Sequence, residues 1–259
     1  MEWFEKASEY IRNIKPVEMD SVLLQQIFQL IDLTSLNDND TNTSIAALLN
    51  KAQSSFGHVA AVCIYSKFVR LVANELLSTT IKIATVVNFP EGNNSLDNVL
   101  IEINNALENG AQEIDVVFPY SRYLAGERQY AQTFISTCKA ACGNNVSLKV
   151  ILETGALQDT AIIADASYDA LTSGADFIKT STGKIAIGAT LEAATVMLLV
   201  IHHLGDAQKG LKISGGLRSI ADVIPYLQIA KQIMGEHWIN KDHFRIGSSR
   251  LVDDIGKAI

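Results

Sequence analysis

Short apolar runs alternate eight times with segments of helical spacing in this chain, and few folds satisfy that rhythm. The runs are Phe28 to Thr34, Val59 to Tyr65, Ile81 to Asn88, Glu113 to Phe118, Leu148 to Glu153, Ala175 to Thr180, Gly210 to Ser214 and Phe244 to Ser248. Between them apolar residues recur three and four apart, as in Leu96, Val99, Leu100, Ile103 and Leu107. Ser95 and Thr190 stand where helices begin, and Gly110, Gly143 and Gly174 where they end. A helix after every strand returns the chain for another strand in the same direction, which gives a parallel sheet. Eight such units close into a (β/α)8 TIM barrel at about 250 residues. With 259 residues, 48% of them hydrophobic, residues 1–259 are expected to form one barrel domain. The competing architecture is an open doubly wound sheet, but no G-x-G-x-x-G follows the first run. Residues 1 to about 25 precede that run and are expected to form an extra N-terminal helix covering the barrel's lower end.

Charge and cysteine usage narrow the function. A formal charge of −7 argues against nucleic acid as a partner and requires any anion site to be local. Three cysteines, an odd number, point to a reducing, cytoplasmic setting rather than a disulfide framework. Cys138 and Cys142, four apart in an expected helix, read as small packing residues. The first residues lack the basic-then-apolar pattern of a signal peptide. No apolar stretch approaches the roughly 20 residues of a bilayer-spanning helix, so no membrane role is expected.

Barrel enzymes place their chemistry at the carboxyl ends of the strands. Those ends here carry Asp32, Cys63, Asn88, Asp115, Lys149 with Glu153, Lys179, Lys212 and Gly247-Ser248-Ser249. A lysine closing an apolar strand is costly, because the apolar wall disfavours its cation. One such lysine would read as a snorkelling or satisfied core residue; three, with Asp115 among them, read as an assembled site. A desolvated amine is the nucleophile that condenses with carbonyl compounds. Lys179 and Lys212 lie on neighbouring strands. Two cations about 4 Å apart at an effective dielectric near 20 repel by about 4 kcal/mol, roughly three pKa units. On that account Lys212 keeps Lys179 partly unprotonated, while Asp115 relays protons. Ser214-Gly215-Gly216 and Gly247-Ser248-Ser249 follow the last two strands, where barrels bind phosphate through approachable backbone amides.

Gly174 to Lys184 resembles the Schiff-base lysine motif of the 2-deoxyribose-5-phosphate aldolase family. Ile31-Asp32-Leu33-Thr34, Val62-Cys63-Ile64-Tyr65, Glu113 to Phe118, Leu148 to Thr154 and Lys212-Ile213-Ser214-Gly215-Gly216 match that family in order, over residues 27 to 250. The resemblance implies a class I aldolase that cleaves 2-deoxyribose 5-phosphate to glyceraldehyde 3-phosphate and acetaldehyde. It assigns Lys179 as the Schiff-base nucleophile, Lys212 as the second lysine and Asp115 as the proton relay. It further implies substrate contacts by Asp32, Cys63, Lys149, Thr182, Gly183 and Lys184, and phosphate contacts by Gly215, Gly216, Ser248 and Ser249. No cofactor is implied, since the protonated imine is the electron sink. The expected partners are small phosphosugar and aldehyde substrates, with a homodimer open as the assembly. Ile213, Arg250 and the short tail ending at Ile259 depart from many relatives, some of which carry a longer tail ending in a proton-transferring tyrosine.

Three other readings compete. Another Schiff-base enzyme, such as a transaldolase or a different phosphosugar aldolase, is set aside on the family motifs. A metal-dependent aldolase would need clustered ligands, and His58, His202, His203, His237 and His243 do not gather at strand ends. A noncatalytic phosphosugar-binding protein would use the glycine loops but has no need of Lys179, Lys212 and Asp115 together.

Overall fold

The computed structural model describes residues 2–258. Its centre is a closed barrel of eight parallel strands: β1 (Ile31–Ser35), β2 (Ala61–Ile64), β3 (Lys82–Val87), β4 (Glu113–Val117), β5 (Ser147–Ile151), β6 (Phe177–Lys179), β7 (Gly210–Ser214) and β8 (Phe244–Ser248). Neighbours in the chain are neighbours in the sheet, and β8 returns to pair with β1. Each of the eight apolar runs therefore contains a strand. The first strand starts later than its run. Phe28 belongs instead to helix Ser21–Gln29, where it is buried with Leu24 and Ile27 at helical spacing. Asp20 starts that helix by accepting a 2.8 Å hydrogen bond from the Leu23 N–H.

The expected N-terminal helix is two helices, and the first is not under the barrel. Helix Glu2–Arg12 lies across three outer helices, Thr160–Thr172, Leu191–Leu204 and Ile220–Met234. Ala7 is fully buried, and Trp3, Tyr10 and Ile11 pack against the core beside it. The lower end is approached instead by helix Ser21–Gln29 and a small antiparallel ribbon, Gln53–Ser54 with Gly57–His58. Elsewhere the expected punctuation is present. Ser95 and Thr190 each accept from the backbone N–H three residues on. The Asn109-Gly110-Ala111 and Ser173-Gly174-Ala175 triplets end their helices identically. In each, the glycine adopts a positive φ (103° and 109°), and the following alanine donates to the carbonyl five residues back.

Strand alternation splits the buried side chains in two. Ile114, Val116, Leu148, Val150, Ile178, Leu211, Ile213 and Ile246 join helix residues such as Val99, Phe134, Ile201 and Ile229 in one core. Each such side chain contributes about 1.5–3 kcal/mol on burial. The opposite strand faces point into the barrel. There Ala61, Cys63, Ala84 and Val86 of β2 and β3 form a separate small apolar cluster. The remaining strands fill the interior with charge. Phe177 lies beneath that charge, its ring 5.7 Å from the Arg245 guanidinium. Gly210 leaves it room, since a Cβ there would come within 2.3 Å of the ring.

Candidate active site

Register brings the charges together. Across neighbouring strands Asp115 faces Lys149, Lys179 faces Lys212, and Lys212 faces Arg245. The centre is the fully buried Asp115 carboxylate. Its Oδ2 accepts from Lys179 Nζ at 2.9 Å and Lys212 Nζ at 2.7 Å, and its Oδ1 accepts from Lys149 Nζ at 2.9 Å. A second tier supports it. Lys212 Nζ is 2.6 Å from Asp32 Oδ2, and Lys149 Nζ donates to Glu113 at 2.6 Å. Arg245 bridges both carboxylates, donating to Asp32 at 2.6 Å and to Glu113 at 2.9 Å. The Cys63 thiol approaches Asp115 Oδ2 at 4.0 Å from the apolar side.

The lysines share burial but not ionisation. For Lys212, burial disfavours the cation, yet Asp115 and Asp32 outweigh it and raise the amine above its ordinary value. Lys149 is raised in the same way, with Asp115 and Glu113 overcoming burial. Lys179 is lowered: burial is the largest cause, Asp115 opposes it, and the Lys212 cation reinforces it. Burial alone would raise Asp115, but Lys149, Lys179 and Lys212 hold it well below the usual carboxylate range. This amends the account in which repulsion by Lys212 is the main influence on Lys179. The Lys212 charge is largely met by Asp32 and Asp115, so desolvation leads.

The segment after β6 has little regular structure and is pinned by its neighbours. The Thr180 hydroxyl donates to the Ser214 carbonyl at 3.0 Å, and the Ser214 hydroxyl donates to the Ser181 carbonyl at 2.5 Å. Gly188 passes so close to Gly215 that a Cβ on it would lie 2.4 Å from the Gly215 carbonyl oxygen. Thr182 donates through its N–H and hydroxyl to Glu153, a buried carboxylate on a left-handed backbone (φ 56°). Burial raises the Glu153 pKa. Lys179, Thr182, Gly183, Lys184, Gly215, Gly216, Ser248 and Ser249 line one cleft of about 290 Å3, together with Thr34, Asn37, Arg218 and Arg250.

Several expected site residues are placed differently within this arrangement. Asp32 and Lys149 are fully buried and bonded to other side chains, beneath the cleft rather than on its wall. The Ser248 hydroxyl donates to the Leu217 carbonyl at 2.8 Å and accepts from the N–H groups of Arg250 and Leu251. Ser249 is exposed at the rim. Lys184 donates to the Leu36 carbonyl at 2.6 Å, tying its loop to the end of β1. Glu113 and Arg245 were not anticipated as site residues. Their signal was strand alternation, since Glu113 is two residues before Asp115 and Arg245 two before Gly247.

Such a site can do carbonyl chemistry: a desolvated amine, a carboxylate that bridges it to a second lysine, and a glycine-lined cleft beside them. A family model described as DeoC/LacD family aldolase matches residues 26–240. A solved structure from Coccidioides immitis, titled a "putative deoxyribose-phosphate aldolase", is similar with a TM-score of 0.81 and 28% identity, covering 99% of this chain and 96% of that one. A Toxoplasma gondii ME49 structure under the same description has a TM-score of 0.82 and 29% identity, over 91% and 94% of the two chains. The fold is shared further with a deoxyribose phosphate aldolase from Aeropyrum pernix, at a TM-score of 0.73 and 24% identity over 93% and 98%.

Proposed function

Because the chain belongs to the DeoC/LacD family of aldolases, we propose that it reversibly cleaves 2-deoxyribose 5-phosphate to glyceraldehyde 3-phosphate and acetaldehyde through a Schiff base on Lys179. The observation that carries this reading is the Lys179 amine itself. It is buried, lowered in pKa, ion-paired with Asp115, and opens onto the glycine-lined cleft.

The chemistry follows from that placement. Unprotonated Lys179 Nζ adds to the C1 aldehyde, and loss of water gives an iminium ion. A base removes the C3 hydroxyl proton and the C2–C3 bond breaks. Its electron pair moves into the iminium to form an enamine, while C3 leaves as the aldehyde of glyceraldehyde 3-phosphate. Protonation of the enamine carbon and hydrolysis release acetaldehyde and the free amine. Asp115, held to both Lys179 and Lys212, supplies the proton relay, directly or through water. Lys212, kept charged by Asp32 and Asp115, supplies positive potential beside the reacting nitrogen. The backbone around Gly215, Gly216 and Ser249 receives the phosphate at the far end of the cleft. Residues 1–259 act as one catalytic domain on this reading, in the cytoplasm, with a homodimer as the assembly to test. Light scattering of the purified protein reads the assembly.

Borohydride reduction in the presence of acetaldehyde should leave an ethyl group on Lys179, detected by peptide mass spectrometry. Lys179→Ala should lose essentially all cleavage of 2-deoxyribose 5-phosphate. Reproducible labelling of Lys149 or Lys212, with Lys179 unmodified, would sink the assignment. EDTA should leave the rate unchanged; a loss restored by Zn2+ would favour a metal-dependent aldolase instead.

A further inference from the structure

The charged interior is uneven in a way that the reaction scheme above does not use. Four cations, Lys149, Lys179, Lys212 and Arg245, share three carboxylates, Asp32, Glu113 and Asp115. If all seven ionise, one positive charge is left over. Lys149, Lys212 and Arg245 each lie within 4.0 Å of at least two of the carboxylates, whereas Lys179, among the described residues, has an ion pair with Asp115 only. The surplus therefore falls on Lys179.

Arg245 enforces that outcome from the bottom of the barrel. Its side chain is 4% exposed, and its two terminal nitrogens are spent on two carboxylates, Nη1 donating to Asp32 on β1 and Glu113 on β4 and Nη2 to Glu113. Its Nε donates to the Lys241 carbonyl, and the Phe177 ring lies alongside. It does not line the cleft. A guanidinium stays protonated at any pH the protein meets, so it is a fixed charge among groups that titrate.

We propose that Arg245 is a positioning residue that, by sharing Asp32 and Glu113 with Lys212 and Lys149, leaves the enclosed network one cation in surplus and makes Lys179, paired with Asp115 alone, the amine that gives up its proton. The inference rests on the Schiff-base reading of Lys179, but concerns which lysine is neutral rather than which sugar is cleaved. Two other titratable groups face this network without forming an ion pair in it. The Cys63 thiol is raised by burial and stays protonated, and Glu153, which interacts with the Lys179 charge at longer range, is bonded to Thr182 beyond the end of β5.

The test is the pH dependence of Lys179 labelling by acetic anhydride, read by peptide mass spectrometry, because the reagent reports amine ionisation without any aldolase turnover. Arg245→Met removes one cation and should move the midpoint up by about one pH unit, lowering the free-amine fraction at neutral pH about tenfold. Glu113→Gln removes one anion and should move it down. The double variant restores the surplus and should return the midpoint to that of wild type. Arg245→Lys, which keeps the charge, should stay near wild type. General damage to the barrel would not produce shifts of opposite sign that cancel. An unmoved midpoint in a folded Arg245→Met protein overturns the proposal, as does a double variant that does not return. If Arg245→Met does not fold, Glu113→Gln decides alone, and an unchanged or raised midpoint overturns it. Wild type that does not cleave 2-deoxyribose 5-phosphate, with the midpoints moving as stated, would sink the substrate reading and leave this inference standing.

Discussion

Lys212 sits between two carboxylates, 2.6 Å from Asp32 and 2.7 Å from Asp115, with no exposed surface. Replacing it by leucine removes a cation that lowers Lys179 and also leaves buried negative charge less well matched. Lys212→Leu should therefore raise the pH midpoint for trapping Lys179 with acetaldehyde and borohydride. It should also cost about 3–5 kcal/mol of stability, the usual penalty for breaking a buried pair from one side. Trapping profiles and urea unfolding separate the two effects. An unchanged midpoint with a large loss of rate would show that Lys212 moves protons rather than acting through its field.

The strands and their loops carry separate tasks. At the lower end, Gly210 on β7 makes room for the Phe177 ring of β6, and a methyl group would need space already filled at 2.3 Å. Gly210→Ala should destabilise by about 1–3 kcal/mol through overpacking, visible as a lower melting temperature. Adding Phe177→Leu should recover part of that loss, whereas equal melting of the single and double variants would refute the contact. At the upper end, the Ser248 hydroxyl is committed to backbone groups of Leu217 and Leu251 while Ser249 is exposed at the rim. Ser249→Asp should raise KM for 2-deoxyribose 5-phosphate strongly, since apposed like charges cost several kcal/mol. It should leave unphosphorylated 2-deoxyribose little affected. Equal losses in kcat/KM on both sugars would place the phosphate elsewhere.

At the scale of the whole molecule, the buried charges link stability to pH. Asp32, Glu113 and Asp115 all lie below their ordinary values of 3.8, 4.5 and 3.8, because neighbouring cations overcome the effect of burial. A carboxyl lowered in the folded state binds protons more readily once unfolded. Its contribution is complete above the unfolded value and is lost as pH falls through the folded one. Glu153 has the opposite sign, since burial raises it, and its contribution fades as pH rises through its folded value. Three groups outweigh one, so unfolding free energy should fall steeply as pH drops below about 4.5. Urea titrations between pH 3 and 7 would show this, and a flat profile would contradict the ionised network.

The eight-strand rhythm was legible because each strand is buried on both faces and each helix on one, and periodicity records burial directly. Chain order then fixed which strands are neighbours, so Lys179 beside Lys212 followed from connectivity alone. The glycine terminators at Gly110 and Gly174 were equally plain, since a left-handed backbone selects the residue. The start of β1 was hidden, because helix Ser21–Gln29 gives way to the strand at Leu30 with no glycine or proline between them, so Phe28 reads as part of the strand's apolar run. Three further features depended on the closed tertiary structure. Arg245 of β8 meets Glu113 of β4 only across the barrel's interior, and no local spacing encodes a contact between residues 132 apart. The Ser248 hydroxyl is taken up by the Leu217 carbonyl of the preceding loop and the N–H groups of Arg250 and Leu251. The ionisation of Lys179 depends on burial and on how seven charges share an enclosed space. Residue identity supplies the charges, but their distances and desolvation exist only once the barrel has closed.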